Sequence, residues 1–303
     1  MRVFTTLLLA LALGGCAPFF FQPGPTPVVT PDRYGLAYQQ VELHAADGTE
    51  LFAWFLPARG EAKATVLYLH GTAENISTSF ANVAWMPAAG FNILALDYRG
   101  YGDSEGRPTL AGVQLDIDAA MRSLLERPGV DPDHIIVFGQ SLGGALAIHY
   151  VAHSAYRRHI RAVVVDSAFA DYRLMAQQKA ADHFITWPLQ WFSAFVVDND
   201  YSPLASVAAL SPIPLLLIHG ERDDVVPAAH SQILFEGAHE PKDYWTIRGS
   251  GHIGALRRAE VRQRLAEFLS YSAATRPGSA ESGGGRISIG EWPSRAGNGS
   301  GAM

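Results

Sequence analysis

The pentapeptide Gly139-Gln140-Ser141-Leu142-Gly143 stands between an apolar run, Ile135 to Phe138, and a helix-length apolar stretch that starts at Gly144. A serine at so tight a strand-to-helix turn has a strained backbone and an exposed hydroxyl. It needs glycine on both sides, because a Cβ there collides with the neighbouring strand or helix. The competing reading is a glycine-rich turn whose serine merely caps the helix. A serine hydroxyl is a weak nucleophile at neutral pH, so an imidazole must take its proton and a carboxylate must fix that imidazole's tautomer. Both follow in chain order. After the apolar run Leu215 to His219 comes Gly220-Glu221-Arg222-Asp223-Asp224, in which Asp223 is the expected orienting acid, with Asp224 second and Asp166 a remote third. After a last strand, Arg248-Gly249-Ser250-Gly251 delivers His252, the expected general base.

Acyl transfer also requires preorganised N–H groups for the oxyanion. Leu142 supplies one at the start of the helix after Ser141. The other is expected from His70-Gly71-Thr72-Ala73-Glu74-Asn75, with the Thr72 amide preferred and that of Ala73 the alternative. Among eleven histidines, only His149 and His153 have the i, i+4 spacing of a metal pair, and they lack the glutamate and third ligand that such a site needs. No metal or organic cofactor is implied.

The elements that must position these groups are legible as short runs of Val, Ile and Leu separated by helical lengths, the pattern of a mostly parallel sheet covered by helices. Residues 41–44 and 51–56, joined by Asp47-Gly48, read as a hairpin. Buried strands are expected at 64–70, 92–98, 135–139, 162–166, 215–219 and 244–247. Helices are expected near 76–88, 110–126, 142–153, 228–236 and 254–271. The interval 172–212 is too long for a simple connection and too aromatic for a loop, so it reads as a helical insertion. Trp187, Trp191 and Phe195 share one face of it, either packed on the domain or lining an apolar acyl cleft.

With 303 residues, 48% of them hydrophobic, the chain can bury a sizeable core. Its 23 basic against 29 acidic residues leave no excess to neutralise phosphates, so general nucleic-acid binding is excluded. A single cysteine excludes an intramolecular disulfide and any cysteine-cluster metal site.

These motifs, in this order, resemble the α/β-hydrolase-fold serine hydrolases over about residues 38–271. Leu67-Tyr68-Leu69-His70-Gly71-Thr72-Ala73-Glu74-Asn75 and Asp97-Tyr98-Arg99-Gly100-Tyr101-Gly102-Asp103-Ser104-Glu105-Gly106 are similar to the branch holding bacterial membrane-associated hydrolases and the eukaryotic α/β-hydrolase domain proteins, some of them protein depalmitoylases. Thr72 departs from the asparagine often found there, which a backbone donor tolerates. The resemblance implies a sheet of about eight strands with helices on both faces and a short lid, and it leaves the substrate open. Asp97 and Arg99 are expected to shape the loop beneath the site.

Residues 1–15 have one early arginine, an apolar core and a small-residue ending, as an export signal does. Leu13-Gly14-Gly15-Cys16 looks like the lipobox of bacterial lipoproteins, in which the cysteine is acylated and becomes the first residue of the mature chain. Ala17 after it implies sorting to the outer membrane, facing the periplasm. Residues 16–35, rich in proline, read as a tether, and Phe19, Phe20 and Phe21 either dip into the bilayer interface or pack on the domain. The domain proper spans 36–274, and 275–303 reads as a disordered Gly/Ser tail.

The expected activity is hydrolysis of a carboxylic ester or thioester with an apolar acyl group. An amidase or peptidase, a lysophospholipase, or a non-catalytic envelope lipoprotein on this scaffold are the alternatives; the oligomeric state is open. In a bacterial host, Cys16→Ser is expected to abolish incorporation of a clickable palmitate analogue, and persistent labelling contradicts the lipobox.

Overall fold

A computed structural model describes residues 20–23, 29–181, 197–278 and 286–289. Among the described residues, nine strands form one sheet in the order β1-β2-β4-β3-β5-β6-β7-β8-β9. They are β1 (Gln39–His44), β2 (Glu50–Leu56), β3 (Ala64–Leu69), β4 (Phe91–Leu96), β5 (Ile135–Gln140), β6 (Ile160–Asp166), β7 (Leu215–Gly220), β8 (Lys242–Ile247) and β9 (Arg286–Ile289). β1 and β2 form the expected antiparallel hairpin, and β2 also runs antiparallel to β4. From β4 to β9 every pairing is parallel. The helices are α1 (Leu110–Glu126), α2 (Leu142–His153), α3 (Tyr172–Ala181), α4 (Ala229–Gly237) and α5 (Ala259–Ala274).

The central strands β3 to β7 are buried at every position. That explains their continuous Val/Ile/Leu character, since side chains alternate between two covered faces. On β6, Val163 and Val165 join one apolar cluster with α1 and α2, while Ala162 and Val164 join the other with α5. Parallel strands all present their carboxyl ends to the same edge, so the residues that end β3, β5, β7 and β8 converge there.

Four expectations are corrected in detail. A single helix over 76–88 does not form: Ile76–Ser79 is one turn, followed by 3-10 turns at Phe80–Asn82 and Pro87–Ala89. Asn75 and Thr78 cap its start reciprocally, but the α-helical turn ends at Ser79, and Pro87, which lacks an N–H, starts the second 3-10 turn. The last helix begins at Ala259 rather than 254, after a 3-10 turn at Ala255–Arg257. Within the supposed featureless tail, Arg-Ile-Ser-Ile at 286–289 is β9, paired on the otherwise open edge of β8. Its two-residue alternation was masked by the Gly/Ser composition around it. The tether is no free spacer where it is described: Phe20 and Phe21 are buried in the core, and Pro31–Tyr34 is a 3-10 turn. Burying two phenylalanine rings outweighs the solvation of an extended strand there.

Among the described residues no helix is long and apolar enough to cross a membrane. Cys16, Trp187, Trp191 and Phe195 lie outside the described residues.

The loop after β4 is fixed by an ion cluster in which Arg99 and Asp116 are buried and Asp47 is exposed. Arg99 Nε donates to Asp116 Oδ1 of α1 at 2.9 Å, its backbone N–H donates to Asp116 Oδ2 at 2.9 Å, and Nη1 reaches Asp47 at 2.7 Å. Removing one partner of a buried pair leaves the other charge uncompensated. Arg99→Leu is therefore expected to destabilise the protein by about 3–5 kcal/mol in urea unfolding. The double variant with Asp116→Leu should recover much of the loss; a double variant as unstable as the single one contradicts the buried-charge account.

Candidate active site

Ser141 stands between β5 and α2 with φ 52° and ψ −119°, a region that L-residues avoid. The cost of such a conformation is about 1–3 kcal/mol, and it persists only where its surroundings impose it. Here they do. A Cβ on Gly139 would overlap the Gly143 carbonyl, and one on Gly143 would overlap the Leu69 carbonyl of β3. The Ser141 N–H donates to the Asp166 carbonyl at 2.8 Å, locking the turn to β6.

The three residues picked from sequence meet although they are far apart in the chain. Ser141 Oγ lies 3.0 Å from His252 Nε2, and His252 Nδ1 lies 2.8 Å from Asp223 Oδ2. A carboxylate can only accept, so Nδ1 carries the proton and Nε2 is left to accept from the serine hydroxyl. Asp223 is buried and its lone pairs are engaged: Oδ1 accepts the Val225 and Val226 N–H groups at 3.0 and 2.8 Å, and Oδ2 also lies 3.2 Å from His219 Nε2. Burial alone pushes this carboxyl up, but hydrogen bonds from His219, His252 and Val226 outweigh it and hold it well below the usual carboxylate range.

The two alternative acids are placed elsewhere. Asp166 is fully buried and bonds Gln140 Nε2 at 2.9 Å and the Ser167 hydroxyl at 3.1 Å; burial raises its carboxyl, and it does not reach His252. Asp224 is exposed beside the turn. His149 and His153 stack at 4.3 Å away from these groups, and burial, then the His153 charge, lowers the His149 imidazole to about 4.

The loop expected to hold the oxyanion, residues 70–75, follows β3. Its Gly71 sits so close that a Cβ there would touch the Ser141 Cβ at 3.4 Å. Thr72 and Ala73 line the same cavity as Ser141 and His252. The loop is held from behind: His70 Nδ1 contacts the Gly71 carbonyl at 2.9 Å, and the Tyr101 hydroxyl donates to the Thr72 carbonyl at 2.7 Å. Within a planar trans peptide the N–H points opposite to the C=O. Tying back these two carbonyls therefore orients the Thr72 and Ala73 amides away from those ties. Leu142 offers its amide as the first residue of α2.

Several participants carried no sequence signal. Ser167, at the end of β6, has φ 59°, and its hydroxyl accepts the Ile253 N–H at 3.2 Å; Ile253, next to His252, has φ 45°. All three non-glycine residues with positive φ among the described residues thus belong to this site. His219, near the end of β7, braces Asp223 while its Nδ1 contacts the Ser231 hydroxyl at 2.6 Å. Phe20 and Gln22, from the supposed tether, line the cavity. The cavity is about 580 Å³, and most of its walls are apolar, including Phe169, Met175, Ala180, Val225, Val226 and Ile253. Glu74 and Lys179 are its charged lining.

Residues 60–205 match the family described as serine aminopeptidase, S33. YfhR of Escherichia coli (strain K12) is 37% identical over 258 residues, covering 83% of this chain and 86% of that protein. The α/β-hydrolase domain-containing protein WAV2 of Arabidopsis thaliana is 30% identical, covering 69% and 70%. Among solved structures, the Pyrococcus furiosus esterase Pf2001 superposes with a TM-score of 0.67 at 25% identity, covering 82% of this chain and 98% of that one. The nucleophile-type turn, the parallel sheet beneath it and these relatives together place the chain in the α/β-hydrolase family.

Proposed function

We propose that this protein is a serine hydrolase that cleaves carboxylic esters or thioesters with an apolar acyl group, from a lipid anchor on Cys16 in a bacterial envelope. The observation that carries the reading is the unbroken relay from Ser141 Oγ through His252 to Asp223, at 3.0 and 2.8 Å, opening onto a largely apolar cavity. Ser141 attacks the acyl carbon as His252 takes its proton. The amides of Leu142 and Thr72 receive the oxyanion. His252 then protonates the leaving alcohol or thiol, and water, activated by the same imidazole, releases the acyl group. Asp223 remains ionised throughout and stabilises the imidazolium, in keeping with its depressed pKa.

The cavity walls favour an acyl chain over a charged group, since apolar lining with few convergent polar groups recognises shape and hydrophobicity. Among the described residues the charged lining is confined to Lys179 and to Glu74, whose carboxylate accepts the Gly71 N–H at 3.2 Å. Cys16 precedes Phe20, a cavity residue, by four positions, at most about 14 Å of extended chain. A lipid on Cys16 would hold the cavity at the surface of the membrane, where apolar acyl groups are concentrated; outer-membrane sorting would turn it to the periplasm.

Ser141→Ala is expected to reduce hydrolysis of p-nitrophenyl esters to background. Asp223→Asn should lower kcat by about 10³–10⁴ with little change in KM, because it stabilises the wrong tautomer of His252. Undiminished turnover by Ser141→Ala contradicts the assignment. Across esters of two to sixteen carbons, kcat/KM should rise from acetate to medium chains; a flat or falling profile contradicts the apolar acyl site.

A further inference from the structure

Residues 20–22 precede the hydrolase domain in sequence yet touch three walls of its active site. Phe20 is buried, meets the Tyr172 ring of α3 edge-on at 4.8 Å and the Phe169 ring at 5.8 Å, and lines the cavity that holds Ser141 and His252. Phe21 is buried edge-on against Tyr101 at 6.4 Å. The Gln22 N–H then donates to both the Tyr101 hydroxyl, at 3.0 Å, and the Thr72 carbonyl, at 3.2 Å.

The last contact bears on catalysis. The Thr72 carbonyl and the Ala73 N–H share one peptide plane and point in opposite directions. A donor that holds the carbonyl therefore sets the direction of an amide in the oxyanion loop, next to the preferred Thr72 donor. Oxyanion donors act through preorganisation, so a group that fixes the loop affects the transition state more than substrate binding.

We propose that residues 20–22 complete the active site: Phe20 is a specificity-determining wall of the acyl pocket, and the Gln22 N–H is a positioning donor for the oxyanion loop. This rests on the serine-hydrolase reading and adds to it that the acyl chain packs against the N-terminal segment. Two phenylalanines that anchor on Phe169, Tyr172 and Tyr101, instead of projecting from the domain, have a reason to be there beyond tethering. The arrangement makes one short segment a bridge between the oxyanion loop, the loop after β4 and α3.

The test uses the full chain and p-nitrophenyl esters from acetate to laurate. Phe20→Ala, which enlarges the pocket, should shift the preferred acyl length upward, and Phe20→Trp, which narrows it, should shift it downward. The decanoate-to-acetate ratio of kcat/KM should change about fivefold or more, within the range that hydrophobic pockets give per methylene. Gln22→Pro removes the N–H and should lower kcat about tenfold or more on every ester, with KM within about twofold. Gln22→Ala, which keeps the N–H, should restore most of that kcat. A purely structural role would lower the thermal midpoint of Gln22→Pro without this kcat-selective loss. Unchanged acyl profiles in both Phe20 variants, or equal kcat in Gln22→Pro and Gln22→Ala, overturn the proposal while a reactive wild type leaves the serine-hydrolase reading standing. A wild type inert to esters and to a fluorophosphonate overturns both.

Discussion

One backbone conformation governs the site: the left-handed turn that Ser141 occupies between β5 and α2. It is unfavourable by itself, and it exists because neighbouring atoms leave no other path. The Gly143 and Leu69 carbonyls occupy the space that side chains at 139 and 143 would need, and the Asp166 carbonyl receives the Ser141 N–H. The turn lifts the hydroxyl off the sheet edge and starts α2 immediately beneath it. A relaxed turn would point Ser141 along the helix, where it could serve only as a cap.

The other groups of the proposed triad are arranged around that fixed point by similar means. Asp223 is fixed by two backbone amides and by His219, which leaves its Oδ2 directed toward His252 Nδ1. The His252 loop is fixed in turn by Ser167, whose hydroxyl accepts the Ile253 N–H and donates to Asp166. Strain at Ser141, Ser167 and Ile253 is thus shared within one network that joins the ends of β5, β6 and β8. The oxyanion loop is held from its far side, by Tyr101 and by Gln22. In each case a buried polar group is satisfied by an atom whose position the fold already determines, which is what makes a site preorganised.

Much of this is legible in the amino-acid sequence. Ser141 and Asp223 each follow a strand of unmistakable Val/Ile/Leu character, His252 follows the more aromatic β8, and the turns that carry all three are marked by glycine. The hairpin, α1 and α2 lie close to their expected bounds: Asp47-Gly48 marks the hairpin turn, the Thr109 hydroxyl accepts the Gly112 N–H at the start of α1, and the glycine-flanked Ser141 turn starts α2. What stayed hidden depends on contacts between distant segments. Ser167 has no motif and acts only because Ile253 arrives beside it. Phe20 and Gln22 sit in a proline-rich stretch whose composition describes a spacer, and only the partners Tyr172, Tyr101 and Thr72 give them a place. β9 is four residues within a Gly/Ser background and forms because β8 offers a free edge. The segment over 76–88 leaves α-helical geometry after Ser79, well before Pro87, at a place that no residue type in the sequence marks.

The central claim is that Ser141 is a nucleophile activated by His252. Its most direct test is intact-mass measurement after treatment with a fluorophosphonate, followed by peptide mapping. The account predicts a single stoichiometric adduct on the peptide carrying Ser141, absent from Ser141→Ala and strongly slowed in His252→Ala. No adduct on the folded wild-type protein, or an adduct that persists at another residue in Ser141→Ala, would contradict it.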